Sequence, residues 1–163
     1  MVTESGVRAR RVDWEDERAA RLRAAMDEEM AARYAGRHDD DPDFPAKAAR
    51  AFAVDPADVV ATVLLEDEAG DALAHLAVRR LGERLEVKRV FVAPDARGRG
   101  LSRMLTAEAE EIAREHRAES LVLQTGDRQP DAVSLYRSIG YRTVDVFPPY
   151  DIIHNSICFE KAL

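Results

Sequence analysis

The sequence of 163 residues contains a single cysteine, Cys158, so no disulfide can form within the chain. A zinc site built on paired cysteines is excluded for the same reason, and the four histidines are scattered without ligand spacing. We therefore expect no resident metal. We expect Cys158 to be a strand residue rather than a nucleophile, because free cysteines are usually buried.

Long apolar runs and excess positive charge are also missing. No segment approaches the roughly 18 consecutive apolar residues of a membrane span, and the first residues, which include Glu4 and Arg8, do not form a secretory leader. The net charge of -7 argues against nucleic acid as a partner. We expect one cytoplasmic domain over residues 1–163, with no membrane partner. The net negative charge either favours a cationic ligand or only keeps the protein soluble.

The stretch from Arg89 to Met104, RVFVAPDARGRGLSRM, is the most informative part of the sequence. Val90, Phe91 and Val92 predict a buried strand that ends at a Pro-Asp turn, and helical apolar spacing begins at Leu101. The intervening loop therefore leads into a helix N-terminus, where free N–H groups and the macrodipole suit an anion.

Two known phosphate-binding loops do not match this stretch. The loop of nucleotide hydrolases needs a Gly-Lys pair, which the chain lacks, and the dinucleotide fingerprint needs a glycine where Arg103 stands. What remains is Arg-x-x-Gly-x-Ser at Arg97, Gly100 and Ser102. It resembles the pyrophosphate loop of the GNAT superfamily of N-acetyltransferases, Arg/Gln-x-x-Gly-x-Gly/Ala, with Ser102 as a small-for-small departure.

A second segment, from Gln129 to Tyr141, resembles the family pattern Asn-x-x-Ala-x-x-Leu-Tyr-x-x-x-Gly-Phe/Tyr. The predicted order of elements is also that of the family, so the resemblance covers essentially the whole chain. It implies an α/β (α+β) fold in which a mixed, mostly antiparallel sheet of about seven strands is flanked by about four helices, with parallel strands 4 and 5 splayed apart. Periodicity and turn residues predict strands over Val7–Val12, Val59–Leu65, Ala72–Leu81, Arg84–Val92, Ser120–Thr125, Tyr141–Val146 and Asn155–Lys161, and helices from the N-cap Asp13 to Tyr34, from Pro45 to Phe52, from Leu101 onwards and over Asp131–Ser138.

The resemblance implies acetyl-CoA as co-substrate. The main-chain amide of Val92 would polarise the thioester carbonyl, and Gln129 stands where the family often has an asparagine that contacts the cofactor. The residues implied in acetyl-CoA binding are Val90, Phe91 and Val92 along the pantetheine arm, Arg97, Gly98, Arg99, Gly100, Leu101, Ser102 and Arg103 around the phosphates, and Gln129.

Tyr136 and Glu86 are the candidate catalytic residues. Tyr136 matches the family tyrosine that is commonly the general acid, and a phenol keeps its proton at neutral pH. The alternative is that Tyr136 only packs, because it shares a helix face with apolar residues. Glu86 alternates with apolar neighbours on a buried strand and is the candidate general base. Its alternatives are a surface pair with Lys88 or a substrate anchor.

The expected activity is acetyl transfer to a primary amine by direct attack in a ternary complex, with no covalent acyl-enzyme. The acceptor is expected to be a small molecule, and the acidic charge favours a cationic one. Tyr150, Asn155 and Ser156 are expected to shape its pocket, and the final strands are available for a homodimer. A non-catalytic CoA-binding module is the alternative, although the presence of both Tyr136 and Glu86 argues against it.

Overall fold

The computed structural model describes residues 6–163, and Glu4 lies outside the described residues. Helices cover both faces of one sheet, whose strand order is β1-β2-β3-β4-β5-β7-β6. The strands are β1 Arg8–Val12, β2 Val59–Glu66, β3 Ala72–Leu81, β4 Arg84–Val92, β5 Ser120–Gly126, β6 Arg142–Val144 and β7 Ser156–Ala162. The helices are α1 Glu17–Arg33, α2 Phe44–Phe52, α3 Leu101–Glu115 and α4 Pro130–Ser138. None of these helices combines the length and the apolarity that a bilayer span needs.

The predicted order of elements and the mixed sheet are confirmed, but the first helix begins later than expected. Its N-cap is Asp16 rather than Asp13, because the Asp16 carboxylate accepts hydrogen bonds from the backbone N–H groups of Arg18 and Ala19. The N–H of Asp16 itself donates to the Asp13 carbonyl over 3.0 Å. Asp13 therefore belongs to a turn between β1 and α1.

The strand predicted over Tyr141–Val146 is shorter, at Arg142–Val144. The reason lies at the end of α4, where Gly140 adopts a φ of 97° and the N–H of Tyr141 donates back to the Tyr136 carbonyl over 2.9 Å. This is a glycine-based helix cap of the kind predicted at Gly140. The cap uses the backbone N–H of Tyr141, so the pairing of β6 with β7 starts one residue later, at Arg142.

The core lies on both faces of the sheet. One face packs against the amphipathic helix α3, whose buried side chains include Leu105 and Ile112. The other face packs against α1, where Ala19 and Leu22 contact Leu64. Both faces of β2 are therefore covered, which explains why its sequence is apolar almost without alternation.

Strands β4 and β5 run parallel but separate after a short contact. Their ladder consists of Leu85 with Leu121 and Glu86 with Val122, although β4 continues to Val92. The register between β3 and β4 also shifts between His75 and Ala77, where one β3 residue lies opposite two β4 residues, 89 and 90. This β-bulge, with Arg89 at a φ of 60°, lies beside the opening between the splayed strands.

Glu66 joins β1, β2 and α1 through buried charge. Its side chain is fully buried and its carboxylate accepts hydrogen bonds from Arg18 over 2.7 Å and from Arg8 over 3.4 Å. Burial by itself would raise the pKa of Glu66, but the hydrogen bond from Arg18 and the nearby arginine charges hold it below the ordinary 4.5. The ionised carboxylate therefore stabilises the folded state.

We expect Glu66→Gln to lower the free energy of unfolding at pH 7 by about 2 kcal/mol, because charge-assisted hydrogen bonds are lost. The contribution of Glu66 is present above pH 4.5 and disappears as the pH falls through its lower folded pKa, so the two proteins should converge in acid. Urea unfolding at pH 7 and pH 3.5 measures this. Glu115→Gln, which removes only an exposed pair with Arg11, is the control and should change little. Equal effects of both variants would contradict the assignment.

Candidate active site

The loop before α3 leads into a helix start with open space in front of it. Gly98 and Gly100 have φ angles of 78° and 74°, a region that favours glycine, and a Cβ built on either would meet nothing within 4 Å. Gly100 is the N-cap of α3, and neither a capping side chain nor an acidic residue occupies the first turn. The N–H groups of Leu101, Ser102 and Arg103 therefore have no capping side chain or first-turn carboxylate as an acceptor. The open space and these donors fit a pyrophosphate group.

The arginines of this loop have different positions. Arg97 donates from Nε to the Val92 carbonyl over 3.1 Å and forms an ion pair with Glu29 at 2.7 Å. Its side chain thus joins the loop to β4 and α1, and the cofactor contact of Arg97 stays a prediction. Arg99 and Arg103 are exposed, and neither forms an ion pair with a described residue.

The end of β4 presents backbone groups to the gap beside β5. The N–H of Ala93 donates to the Leu73 carbonyl over 2.9 Å, so the N–H and C=O of Val92 face the other way, towards β5. Val90 and Val92 pack on the α3 side, whereas the ring of Phe91 is buried beneath α1. Of the three predicted cofactor-arm residues, Phe91 can contribute only its backbone to the gap.

Tyr136 is a core residue, as the packing interpretation predicts. Its ring centroid lies 5.6 Å from that of Tyr141 and 5.9 Å from that of Phe159. The hydroxyl oxygen of Tyr141 is buried and has no hydrogen-bond partner among the described residues. The hydroxyl oxygen of Tyr136 does not belong to this group of buried atoms without a partner. Burial raises the pKa of Tyr136, so the phenol holds its proton at neutral pH. The acid role stays a prediction.

Gln129 lies at the N-cap of α4, where the end of α1 contacts the loop after β5. The hydroxyl of Tyr34 accepts a hydrogen bond from the Arg128 N–H over 3.2 Å and lies 3.5 Å from Nε2 of Gln129. A Cβ on Gly126 would lie 1.9 Å from that hydroxyl, so only glycine permits this approach. The sequence did not predict this contact. The cofactor contact of Gln129 stays a prediction.

Glu86 lies in a buried network of charged and polar side chains. It is fully buried, pairs with Nε of Arg79 at 2.7 Å, and accepts a hydrogen bond from the Tyr150 hydroxyl over 2.6 Å. Nζ of Lys88 donates to the same hydroxyl over 2.7 Å. The alternative of a surface pair between Glu86 and Lys88 is therefore wrong, because helices and the segment before β7 cover this face of the sheet. Whether Glu86 is a base or an anchor stays a prediction.

Tyr150 was expected on the wall of the acceptor pocket, but its hydroxyl lies at the centre of this network and its side chain is fully buried. The charged residues Glu86 and Lys88 on a buried strand indicated that a polar partner exists. They did not indicate where in the chain that partner lies. Burial lowers the pKa of Lys88 to about 8, although the charge of Glu86 opposes the shift. Burial, together with Glu86, raises the pKa of Tyr150.

His75 supports the bulge from β3. It is fully buried, its Nε2 lies 3.0 Å from a guanidinium nitrogen of Arg23, and its Nδ1 lies 2.8 Å from the Arg89 carbonyl. A guanidinium can only donate, so Nε2 accepts and Nδ1–H donates to the carbonyl. Burial, with the charges of Arg23 and Arg89, lowers the pKa of His75 to about 4. The neutral imidazole therefore holds a backbone conformation that arginine rarely adopts.

The model of the Acetyltransferase (GNAT) family matches residues 12–141, which include the loop, the gap and both candidate catalytic residues. The chain belongs to the GNAT family. It is 40% identical over 78 residues to an IAA acetyltransferase of Azospirillum brasilense, a match that covers 48% of this chain and 51% of that protein. It is 36% identical over 97 residues to an uncharacterised N-acetyltransferase of Schizosaccharomyces pombe, covering 58% and 56%. The chain thus spans about half the length of these curated relatives.

Solved structures of GNAT proteins share the fold. A provisionally assigned acyl-CoA N-acyltransferase of Klebsiella pneumoniae superposes with a TM-score of 0.77 at 26% identity, over 98% of this chain and 99% of that one. A GNAT acetyltransferase of Elizabethkingia anophelis with acetyl-CoA bound superposes with a TM-score of 0.68 at 12% identity, over 98% and 100%. The second similarity concerns the fold alone.

Two cavities of this GNAT chain lie beside α2. The first, of about 590 Å³, lies between the α1–α2 loop and the segment before β7, and its lining includes Asn155 and Ser156, whose part in an acceptor pocket stays a prediction. Asp41, on its other side, is paired with Lys47 at 2.8 Å. The second, which we call the α1–α2 cavity, has a volume of about 510 Å³. Its lining includes Trp14, Arg23, Asp27, Phe52 and Arg89.

We expect the stability of the protein to fall between pH 6.5 and pH 4 because of His75. In that interval His75 takes up a proton in the unfolded chain but not in the folded chain. Protonation therefore lowers the free energy of unfolding, by on the order of 3 kcal/mol at pH 4. His75→Asn keeps an N–H near the position of Nδ1 and cannot titrate, so it should lose most of this dependence. Urea unfolding across the interval measures it. His154→Asn, at an exposed position, is the control, and an unchanged slope in His75→Asn would contradict the assignment.

Proposed function

We propose that the chain is an acetyl-CoA-dependent N-acetyltransferase that acetylates a primary amine of a small, cationic acceptor by direct attack in a ternary complex. The main support is the uncapped start of α3 behind Gly98 and Gly100, beside the gap between β4 and β5, in a chain of the GNAT family. When bound, acetyl-CoA supplies the acetyl group as a thioester, whose carbonyl carbon the amine attacks.

In this proposal the first-turn N–H groups of α3 bind the phosphates, and the exposed Arg99 and Arg103 add positive charge. Gln129 contacts the cofactor from the start of α4. The N–H of Val92, which faces the gap, donates to the carbonyl oxygen and stabilises the negative charge that develops there. This donor belongs to a strand and needs no reorganisation during the reaction.

Tyr136 is the proposed general acid. As the bond between carbon and sulfur breaks, its hydroxyl gives a proton to the sulfur, which leaves as a thiol. The raised pKa of Tyr136 keeps the hydroxyl protonated before this step. The ring contacts with Tyr141 and Phe159 hold the hydroxyl in one position.

Glu86 is the proposed base, and it acts through Tyr150. Because Glu86 is fully buried, an acceptor amine cannot touch it, but the Tyr150 hydroxyl donates to it over 2.6 Å. Tyr150 passes its proton to Glu86 and takes the proton that Nζ of Lys88 donates to it over 2.7 Å, and Lys88 regains a proton that water carries from the amine. Lys88 and Arg79 orient the tyrosine oxygen by donating to it.

We expect Ser102→Glu to weaken acetyl-CoA binding at least about tenfold, because it places a negative charge beside the phosphates. The same charge suits the N-terminus of a helix, so the thermal stability of the protein should not fall. Titration calorimetry with acetyl-CoA measures the affinity. Thr143→Glu, which adds the same charge on the edge strand β6, is the control. Unchanged affinity in Ser102→Glu would contradict the proposed phosphate site.

We expect Tyr136→Phe to reduce kcat about a hundredfold while the affinity for acetyl-CoA stays nearly constant, because only the proton donor is removed. Thiol release in the presence of a panel of primary amines measures kcat. Tyr141→Phe is the matched control: its hydroxyl has no partner, so its removal should leave the rate unchanged and should not destabilise the protein. A full rate in Tyr136→Phe would leave the tyrosine with a packing role only.

A further inference from the structure

The α1–α2 cavity has a wall of positive charge that the nearby carboxylates neutralise only in part. Arg23 stacks over the Trp14 ring, with its guanidinium carbon 3.7 Å from the ring centroid. Its nitrogens donate to Nε2 of His75 and to the Trp14 carbonyl, which are both neutral acceptors. Within residues 6–163, Arg23 forms no ion pair. A partly buried guanidinium without a counterion is unfavourable unless an anion joins it.

Arg89 adds a second cation to the same wall. It donates to Asp27 over 2.7 Å and to the Arg23 carbonyl over 3.0 Å, and its Nε is buried without a partner among the described residues. The side chain of Asp27 is 66% exposed, so solvent weakens its attraction. Arg23 is attracted by the exposed Glu15 and by Asp27, but it is hydrogen-bonded to neither of them. This local charge is opposite to the net charge of -7 of the chain.

The position of this wall relates it to the acetyl-transfer site. Arg89 belongs to the bulge of β4 and directly precedes Val90, so the wall adjoins the strand end that faces the gap. The bulge brings Arg89 to the α1 face, where Arg23 lies. Apart from Asp27, the remaining lining residues are apolar or aromatic, with Trp14 and Phe52 among them. A ligand there would present an anionic group to the arginines and an apolar group to the rings.

We propose that the acceptor is a small amino acid, whose carboxylate binds Arg23 and Arg89 and whose apolar side chain contacts Trp14 and Phe52, while its amine faces the gap. This inference rests on the proposed function and specifies its acceptor. Such an amino acid is a zwitterion without net charge, so this inference keeps the proposed acetyl transfer and replaces its cationic acceptor. A guanidinium binds a carboxylate with paired hydrogen bonds, so the two arginines select for that group.

Matched substrates test the proposal. L-leucine and L-phenylalanine differ from isopentylamine and phenethylamine only by the carboxylate, and kcat/KM from thiol release should be about tenfold or more higher for the amino acids. Binding of L-leucine without acetyl-CoA, measured by calorimetry, tests the site independently of turnover. If acetyl-CoA binds and the simple amines react as well as the amino acids, the proposed acceptor is wrong and the proposed function stands. If acetyl-CoA does not bind, the proposed function is wrong. If L-leucine does not bind in the calorimetric titration, the proposed carboxylate site at Arg23 and Arg89 is wrong.

Two variants separate recognition of a carboxylate from attraction of a cation. Asp27→Asn removes the carboxylate that competes with the leucine carboxylate for Arg89, so the KM for L-leucine should fall severalfold. If Asp27 instead attracts the ammonium group of the acceptor, the KM should rise. Glu28→Gln, an exposed neighbour with the same charge change, is its control. Arg23→Gln should raise the KM for L-leucine about tenfold more than the KM for phenethylamine, because only leucine has the carboxylate. Arg21→Gln, whose side chain is 76% exposed, should change neither.

Discussion

The hydrogen bond from His75 to the Arg89 carbonyl supports the part of the fold on which the proposed site depends. It holds Arg89 at a φ of 60°, inside a bulge that gives β4 one residue more than β3. Because of this extra residue, Lys88 and Arg89 both reach the side of the sheet covered by α1 and α2. A bulge also bends its strand, and beyond it β4 has no ladder with β5.

Charge is buried in two different ways around this strand. Glu86 and Arg79 neutralise each other, and the Tyr150 hydroxyl donates to Glu86 and accepts from Arg79 and Lys88, so the carboxylate of this network has its counterion within the protein. Arg23, in contrast, has only neutral acceptors. A satisfied network orients its members, whereas an uncompensated charge favours a ligand of opposite sign. The two clusters therefore suit different tasks, one in proton movement and the other in recognition of the acceptor.

Element order and most strand bounds were predictable because they depend on local periodicity and turn residues. The hairpin of β3 and β4 and the start of α3 illustrate this. The errors arose where a neighbour in space decides the outcome. Asp13 and Asp16 are both suitable caps, and only the turn after β1 selects Asp16. Alternation placed Glu86 and Lys88 on one face of the strand, but it carries no information on whether that face is covered.

The sequence by itself determined the loop from Arg97 to Arg103 and the helix start behind it, because a run of consecutive residues creates both the positive-φ glycines and the free N–H groups. Only the tertiary structure decided the pairing of Tyr150 with Glu86, 64 residues away, and the approach of Arg23 to Arg89, 66 residues away. Such pairs depend on how helices pack on the sheet, and the free energy of that packing is distributed over the whole core.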